Sequence, residues 1–237
     1  MLIYPAIDLY EGKAVRLFKG DYAQMTVYSN DPPVLAEDFA GCGATHMHIV
    51  DLEGAKTGRT PNMKTILEIK ERGGLFCQVG GGIRSMEVVD RYLGAGLHRV
   101  ILGTAAVTES GFVERAVEKY GERIAVGIDI KDGFVAIRGW TEKSDWNAFD
   151  FCHKMQNIGV KTLICTDISK DGAMSGTNHE LYGRLMKSFD MNIIASGGVS
   201  SVEDIRRLAD VGLYGAIVGK AYYTGSIDLG KAIEVAK

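Results

Sequence analysis

No run of roughly 18 or more apolar residues occurs in this chain, so no segment reads as a membrane-spanning helix. The start, MLIYPAIDLY, lacks the basic leader and apolar core of a secretory signal. The four cysteines, Cys42, Cys77, Cys152 and Cys165, stand too far apart for a CxxC pair or a zinc framework. Cys77 and Cys165 fall inside apolar runs and read as reduced core residues, which points to a reducing, cytoplasmic setting. Positive charge is not in excess: 27 Lys and Arg against 30 Asp and Glu leave a formal net charge of −3. General binding to nucleic acid or to an anionic membrane therefore has no basis. An anionic small molecule stays open, because backbone amides hold phosphate without adding formal charge. Linkers and low-complexity stretches are absent too, and a single-domain monomer is expected.

What is present is a regular alternation in 237 residues, 46% of them hydrophobic. Short apolar runs bounded by Gly, Asp or Pro occur at 2–8, 45–51, 75–80, 99–103, 123–129, 161–167, 192–196 and 214–219. Being short and apolar throughout, they suit strands buried on both faces of a parallel sheet. Helical patterns lie between them. Ser200 to Val211 carries Val202, Ile205 and Leu208 on one side, with Ser200 and Glu203 spaced as a capping box. Thr108 to Tyr120 ends before Gly121, a natural terminating residue. Eight such units in this length predict a (β/α)8 barrel over an open doubly wound sheet. Pro5 sits awkwardly in the first run, since proline removes a ladder hydrogen bond.

The chain also repeats itself. A shift of 116 residues aligns 81–105 with 197–221 at 10 of 25 positions, among them Gly81-Gly82 with Gly197-Gly198 and Gly103 with Gly219. Asp51 then meets Asp167, and Asn62 meets Asn178; a shift of 121 brings Asp8 onto Asp129. Two half-barrels, about 1–121 and 122–237, follow, with strands 1 and 5 supplying matched groups from opposite walls.

In such a barrel the chemistry lies at the C-terminal strand ends. Two features stand there. Glycine-rich turns, Gly80-Gly81-Gly82 and Ser196-Gly197-Gly198, are each followed one unit later by Gly103-Thr104 or Gly219-Lys220. Glycine lets backbone amides approach an anion closely, and loops after strands 7 and 8 often hold phosphate. Matched pairs predict two phosphate sites on opposite sides. Asp8 and Asp129 are the second feature, placed to act as base and acid on a ligand between them without metal or cofactor. Asp51 and Asp167 form another symmetric pair that fits a structural brace as readily as a function. Other motif readings fail. Gly80-x-Gly82-x-x-Ser85 has no acidic residue about 20 positions on, and Gly219-Lys220 has Ala221 where a Walker motif needs Ser or Thr. The Asp167 loop would reach Asn178, not Glu, at the twelfth calcium-loop position. His179-Glu180 lacks a second histidine for zinc.

PAIDLYEGKAVRLFKGDY (5–22), HIVDLEGAK (48–56), VGGGIRS (79–85), ILGTAAV (101–107), GIDIKDG (127–133), RGW (138–140), TDISKDGAMSGTN (166–178) and ASGGVSSVEDI (195–205) span nearly the whole chain. In combination they resemble the phosphoribosylformimino-5-aminoimidazole carboxamide ribotide isomerases of histidine biosynthesis. The resemblance implies an Amadori rearrangement of an aminoaldose to an aminoketose, without cofactor or metal, on a small bisphosphate. It assigns Asp8 as the base at C2 and Asp129 as the acid at the furanose ring oxygen, with Thr166 and Asp171 supporting the reacting centre. It also places Arg16, Arg84, Arg138 and Gly172 in loops that meet substrate, and Trp140 against the imidazole carboxamide. His48 falls in a strand and fits core or ligand contact equally. Thr177 stands where the family usually has proline.

Three other readings stay in view at this point. One is the sister ammonia-using cyclase, against which PAID with VRL, and RGW after strand 5, weigh. A dual enzyme that also isomerises phosphoribosylanthranilate would use the same chemistry. A phosphosugar-binding barrel without catalysis would not need both Asp8 and Asp129.

Overall fold

A computed structural model describes residues 1–18 and 20–237; Lys19, inside the first quoted motif, lies outside them. Parallel strands occupy all eight expected runs: β1 (Leu2–Tyr10), β2 (His46–Asp51), β3 (Phe76–Gly80), β4 (Arg99–Leu102), β5 (Ile124–Lys131), β6 (Thr162–Asp167), β7 (Asn192–Ser196) and β8 (Gly215–Val218). They pair in the order β6-β7-β8-β1-β2-β3-β4-β5, and β5 pairs back onto β6. The sheet therefore closes, and the fold is a (β/α)8 barrel.

The apolar runs make these strands because both faces are covered. Outside, amphipathic helices such as Met86–Gly94 and Val202–Asp210 lie over them, burying Val89 and Leu93 or Ile205 and Leu208. Inside, Tyr4, Ala6, Ile101, Ala125, Ile164, Ile194 and Ile217 pack as a separate cluster. β2 and β3 add no apolar side chain to it. Level with Ala6 they carry His48 and Gln78 instead.

Several expectations shift by a residue or more. Pro5 is tolerated because it occupies the last β8 pair, with Val218, one residue before the β2 ladder starts at Ala6. The capping box forms one step later than the spacing suggests, between Ser201 and Asp204. Asp204 also accepts from the Ser200 backbone and hydroxyl, while Glu203 faces Arg206 and Arg207 outside. The helix expected over 108–120 forms only at Phe112–Tyr120, starting after Gly111 at φ 71°, while Thr108 ends a separate short helix, Thr104–Thr108. The glycine turns precede their helices by three residues, with Ser85 and Ser201 as the caps.

β1 and β5 run on past their aspartates into antiparallel hairpins, where Asp8 pairs with Val15 and Asp129 with Ala136. The first hairpin is completed by Lys13–Phe18 and Asp21–Ser29, the second by Phe134–Ile137 and Glu142–Asn147. The hairpins meet above the barrel: a Cβ on Gly20 would lie 3.2 Å from the Trp140 ring.

Candidate active site

A pocket of about 940 Å³ opens where the eight strands end. Asp8, Asp129 and Thr166 border it from β1, β5 and β6, and Asp171 and Gly172 from the loop after β6. One side is formed by Gly81, Gly82, Arg84, Gly103 and Thr104, the other by Gly197, Gly198, Gly219 and Lys220. Arg16, Arg138 and Trp140 border it from the two hairpins.

The carboxyls sit in different surroundings. Asp8 faces Arg16, with Nη1 to Oδ2 at 2.7 Å. The same guanidinium lies over the Tyr223 ring at 5.5 Å, and its buried Nε and Nη2 have no hydrogen-bond partner among the described residues. A Cβ on Gly219 would collide with Nη2, so this unsatisfied cation edge lies against the β8 turn. Burial raises the pKa of Asp129, against hydrogen bonds from Trp140 and Thr166. A carboxyl held up in this way keeps its proton more readily, as a general acid must.

Asp171 is pushed up to about 6, by burial first and then by the negative charges of Asp8 and Asp129, while Arg16 and Lys220 oppose. Its folded-state pKa lies above the ordinary 3.8, so the fold favours the protonated form. That contribution is whole below the ordinary value and is lost as pH rises through the folded one. Asp171→Asn is therefore expected to raise the unfolding free energy by about 3 kcal/mol at alkaline pH and hardly at all near pH 4. Denaturant titrations at the two pH values check it; an equal gain at both would refute the charge argument.

The glycines divide into two kinds. Gly81 and Gly82 have φ of 107° and 72°, and side chains there would fall on the Asp51 and Gly54 carbonyl oxygens. Gly197 and Gly198 repeat this against Asp167 and Gly176. Packing inside each half thus already demands these four. Gly82→Ala is expected to cost about 3 kcal/mol or more, through backbone collision and a left-handed φ together; a midpoint in urea close to the parent's would show that the turn can yield. Gly103 is different, since its α-carbon has open space beside it and lines the pocket. Gly103 and Gly219 share one unusual conformation, φ/ψ of −100°/−113° and −105°/−106°. Their backbones are what an anion would approach.

Asp51 and Asp167 are braces. Asp51 is fully buried and accepts from Gly54 N and Asn62 Nδ2, both at 2.8 Å. Asp167 accepts from Ser169 N at 2.9 Å and Asn178 Nδ2 at 2.6 Å. Neither borders the pocket.

The family model of the histidine biosynthesis proteins matches residues 2–228. The chain belongs to that family. Among curated members, it is 50% identical to the Oceanobacillus iheyensis protein over 234 residues, covering 99% of this chain and 98% of that one. Identity to the Acetivibrio thermocellus protein is 46% over 237 residues, all of both chains. Both are named 1-(5-phosphoribosyl)-5-((5-phosphoribosylamino)methylideneamino) imidazole-4-carboxamide isomerase.

In this histidine biosynthesis protein the RGW segment is a run of left-handed backbone: Arg138, Gly139 and Trp140 have φ of 54°, 64° and 70°. Such conformations in non-glycine residues are uncommon and cluster at functional sites. Arg138 N is held by Thr104 Oγ1 at 3.0 Å, while its guanidinium pairs with Glu142. Arg84 Nη2 donates to the Ala55 carbonyl at 2.6 Å. Two further pocket residues lie inside the quoted motifs but were assigned no role from the sequence. Tyr22 borders it with its hydroxyl on the Leu52 carbonyl at 2.9 Å, and Met174, at φ 52°, joins from the β6 loop. His48, left open between core and ligand contact, borders the pocket. No helix among the described residues is long and apolar enough to cross a membrane.

Proposed function

We propose that this chain is an aldose–ketose isomerase of histidine biosynthesis. It converts the phosphoribosyl-formimino aminoaldose of an imidazole carboxamide ribotide to its phosphoribulosyl aminoketose. The observation that carries the reading is Asp8 and Asp129 at the points where β1 and β5 leave the barrel for their hairpins, on opposite walls of a pocket flanked by like glycine turns. The name borne by relatives about half identical along their whole length supports the same reaction.

The proton movements close on two carboxyls. Asp129 gives its proton to the furanose ring oxygen, the C1–O bond breaks, and the exocyclic nitrogen forms the C1 Schiff base. Asp8 takes the C2 proton, and the electron pair moves to C1=C2, giving an enaminol. Return of a proton to C1 and loss of the C2 hydroxyl proton to Asp129 give the ketone and restore both carboxyls. No atom enters or leaves, so acid and base suffice in principle. Thr166 is the cross-strand partner of Asp129 and borders the same pocket, placed to steady the acid. The two terminal phosphates suit the Gly103 and Gly219 sides, with the unpaired edge of Arg16 beside the latter.

The test assays chelator-treated protein on the aminoaldose bisphosphate, with phosphoribosylanthranilate in parallel and ammonia-dependent ring closure of the ketose followed in the same run. Turnover of the first substrate alone is expected. Turnover of both isomerase substrates would make the enzyme dual, and cyclase activity without isomerisation would sink the assignment.

A further inference from the structure

A polar row crosses the barrel interior, and the isomerase reading leaves it idle. His48, Gln78 and Arg99 are successive cross-strand partners on β2, β3 and β4. His48 is level with Ala6, two residues before Asp8, and borders the pocket. Gln78 is fully buried, and Arg99, at the start of β4, is 7% exposed. Arg99 Nη1 donates to Gln78 Oε1 at 3.3 Å, and Gln78 Nε2 lies 3.1 Å from His48 Nδ1.

Elementary hydrogen-bond chemistry fixes the roles along this row. A guanidinium has donors only, so the Gln78 atom facing Arg99 is oxygen and the amide nitrogen faces His48. That nitrogen also only donates, so Nδ1 accepts. A neutral imidazole accepting at Nδ1 carries its proton on Nε2. Burial, aided by the charge of Arg16, holds the imidazolium off by lowering the His48 pKa to about 3. Among the described residues nothing hydrogen-bonds to Nε2.

We propose that Arg99, acting through Gln78, sets the tautomer of His48, so that the pocket is offered a neutral Nε2–H donor. Its acceptor is the C2 oxygen of the sugar, the hydroxyl that becomes the ketone; this choice of acceptor rests on the isomerase reading, and the tautomer does not. A proton on Nε2 leaves no lone pair toward the ligand, so His48 is not the base. A neutral donor steadies charge gathering on the enaminol oxygen without giving up its proton. Gln78 and Arg99 are positioning residues, acting from below the pocket.

The experiment is two-bond ¹H–¹⁵N spectroscopy of protein labelled in its five histidines, with His48 assigned by its loss in His48→Gln. The parent is expected to show a protonated Nε2 and a bare Nδ1. In Gln78→Glu the carboxylate keeps Arg99 paired but accepts from Nδ1–H, so the tautomer flips. kcat is then expected to fall about tenfold, the worth of one neutral hydrogen bond, with the melting temperature and inorganic-phosphate affinity kept. Arg99→Met frees the amide to turn, and mixed tautomers are expected. An Nδ1–H or imidazolium form in the parent overturns the proposal. So does a Gln78→Glu protein that loses activity with its tautomer unchanged, because the row would then be only structural. A parent with the expected tautomer but no isomerase turnover sinks the substrate assignment and the acceptor with it, while the relay stands.

Discussion

Asp8→Asn is expected to lower kcat about a thousandfold or more, within the range of general acid–base catalysis, while bisphosphate affinity is kept or tightens. Asparagine preserves the shape and an acceptor oxygen toward Arg16, but it cannot take a proton from carbon. The charge it removes leaves the Arg16 guanidinium, already short of partners at Nε and Nη2, without its counter-ion. A buried unpaired cation costs stability and draws an anion more strongly. Steady-state rates and calorimetric titration of the inactive variant with substrate separate the two effects. Affinity falling in step with kcat would show Asp8 holding the ligand rather than moving a proton.

A loss of similar size, about a thousandfold, is expected for Asp129→Asn, with a different pH signature. A general acid must enter the reaction protonated, so activity that depends on it declines as pH rises through its pKa. Burial raises that pKa, which carries the active range upward from where an ordinary aspartate would end it. In Asp129→Asn the residual kcat/KM should lose this declining limb. Should the limb survive the substitution, Asp129 is not the acid, and Asp171, itself raised to about 6, becomes the group to replace next.

Most barrel strands were legible because burial on both faces leaves little to alternate, so they appear as short, mainly apolar runs; His48, Gln78 and Arg99 are polar exceptions on β2, β3 and β4. Both hairpins were not, for the opposite reason. Asp21–Ser29 is mostly exposed, and Glu142–Asn147 buries little, so neither carries the pattern that marks a strand. Asp8 and Asp129 were readable from the repeat and from the rule that strand ends carry the chemistry. The glycine pairs were readable too, but for a reason only half right. Gly82 and Gly198 are required by carbonyl oxygens within their own halves, a contact between loops some 20–30 positions apart that spacing does not reveal. Asp51 and Asp167 became braces once Asn62 and Asn178 came within hydrogen-bond reach; the repeat aligned these residues without telling what bound what. His48 stayed ambiguous because its meaning depends on Gln78 and Arg99, which only strand register brings beside it.

On the reading proposed above, two phosphate sides built alike present a ligand that has a phosphate at each end with a problem of polarity. Entered head-first or tail-first, it would meet the same turns, and the reversed complex would be held at both ends with its reacting carbons beside the wrong aspartate. Whatever the duplicated framework contributes to affinity, it contributes equally to both directions. Direction must come from the residues in which the halves differ: Arg84 where the other half has Ser200, Thr104 where it has Lys220, and Arg16 where it has Ile137. On that reading these unduplicated side chains would decide which way round the molecule lies, and unproductive occupancy would be the penalty for losing them.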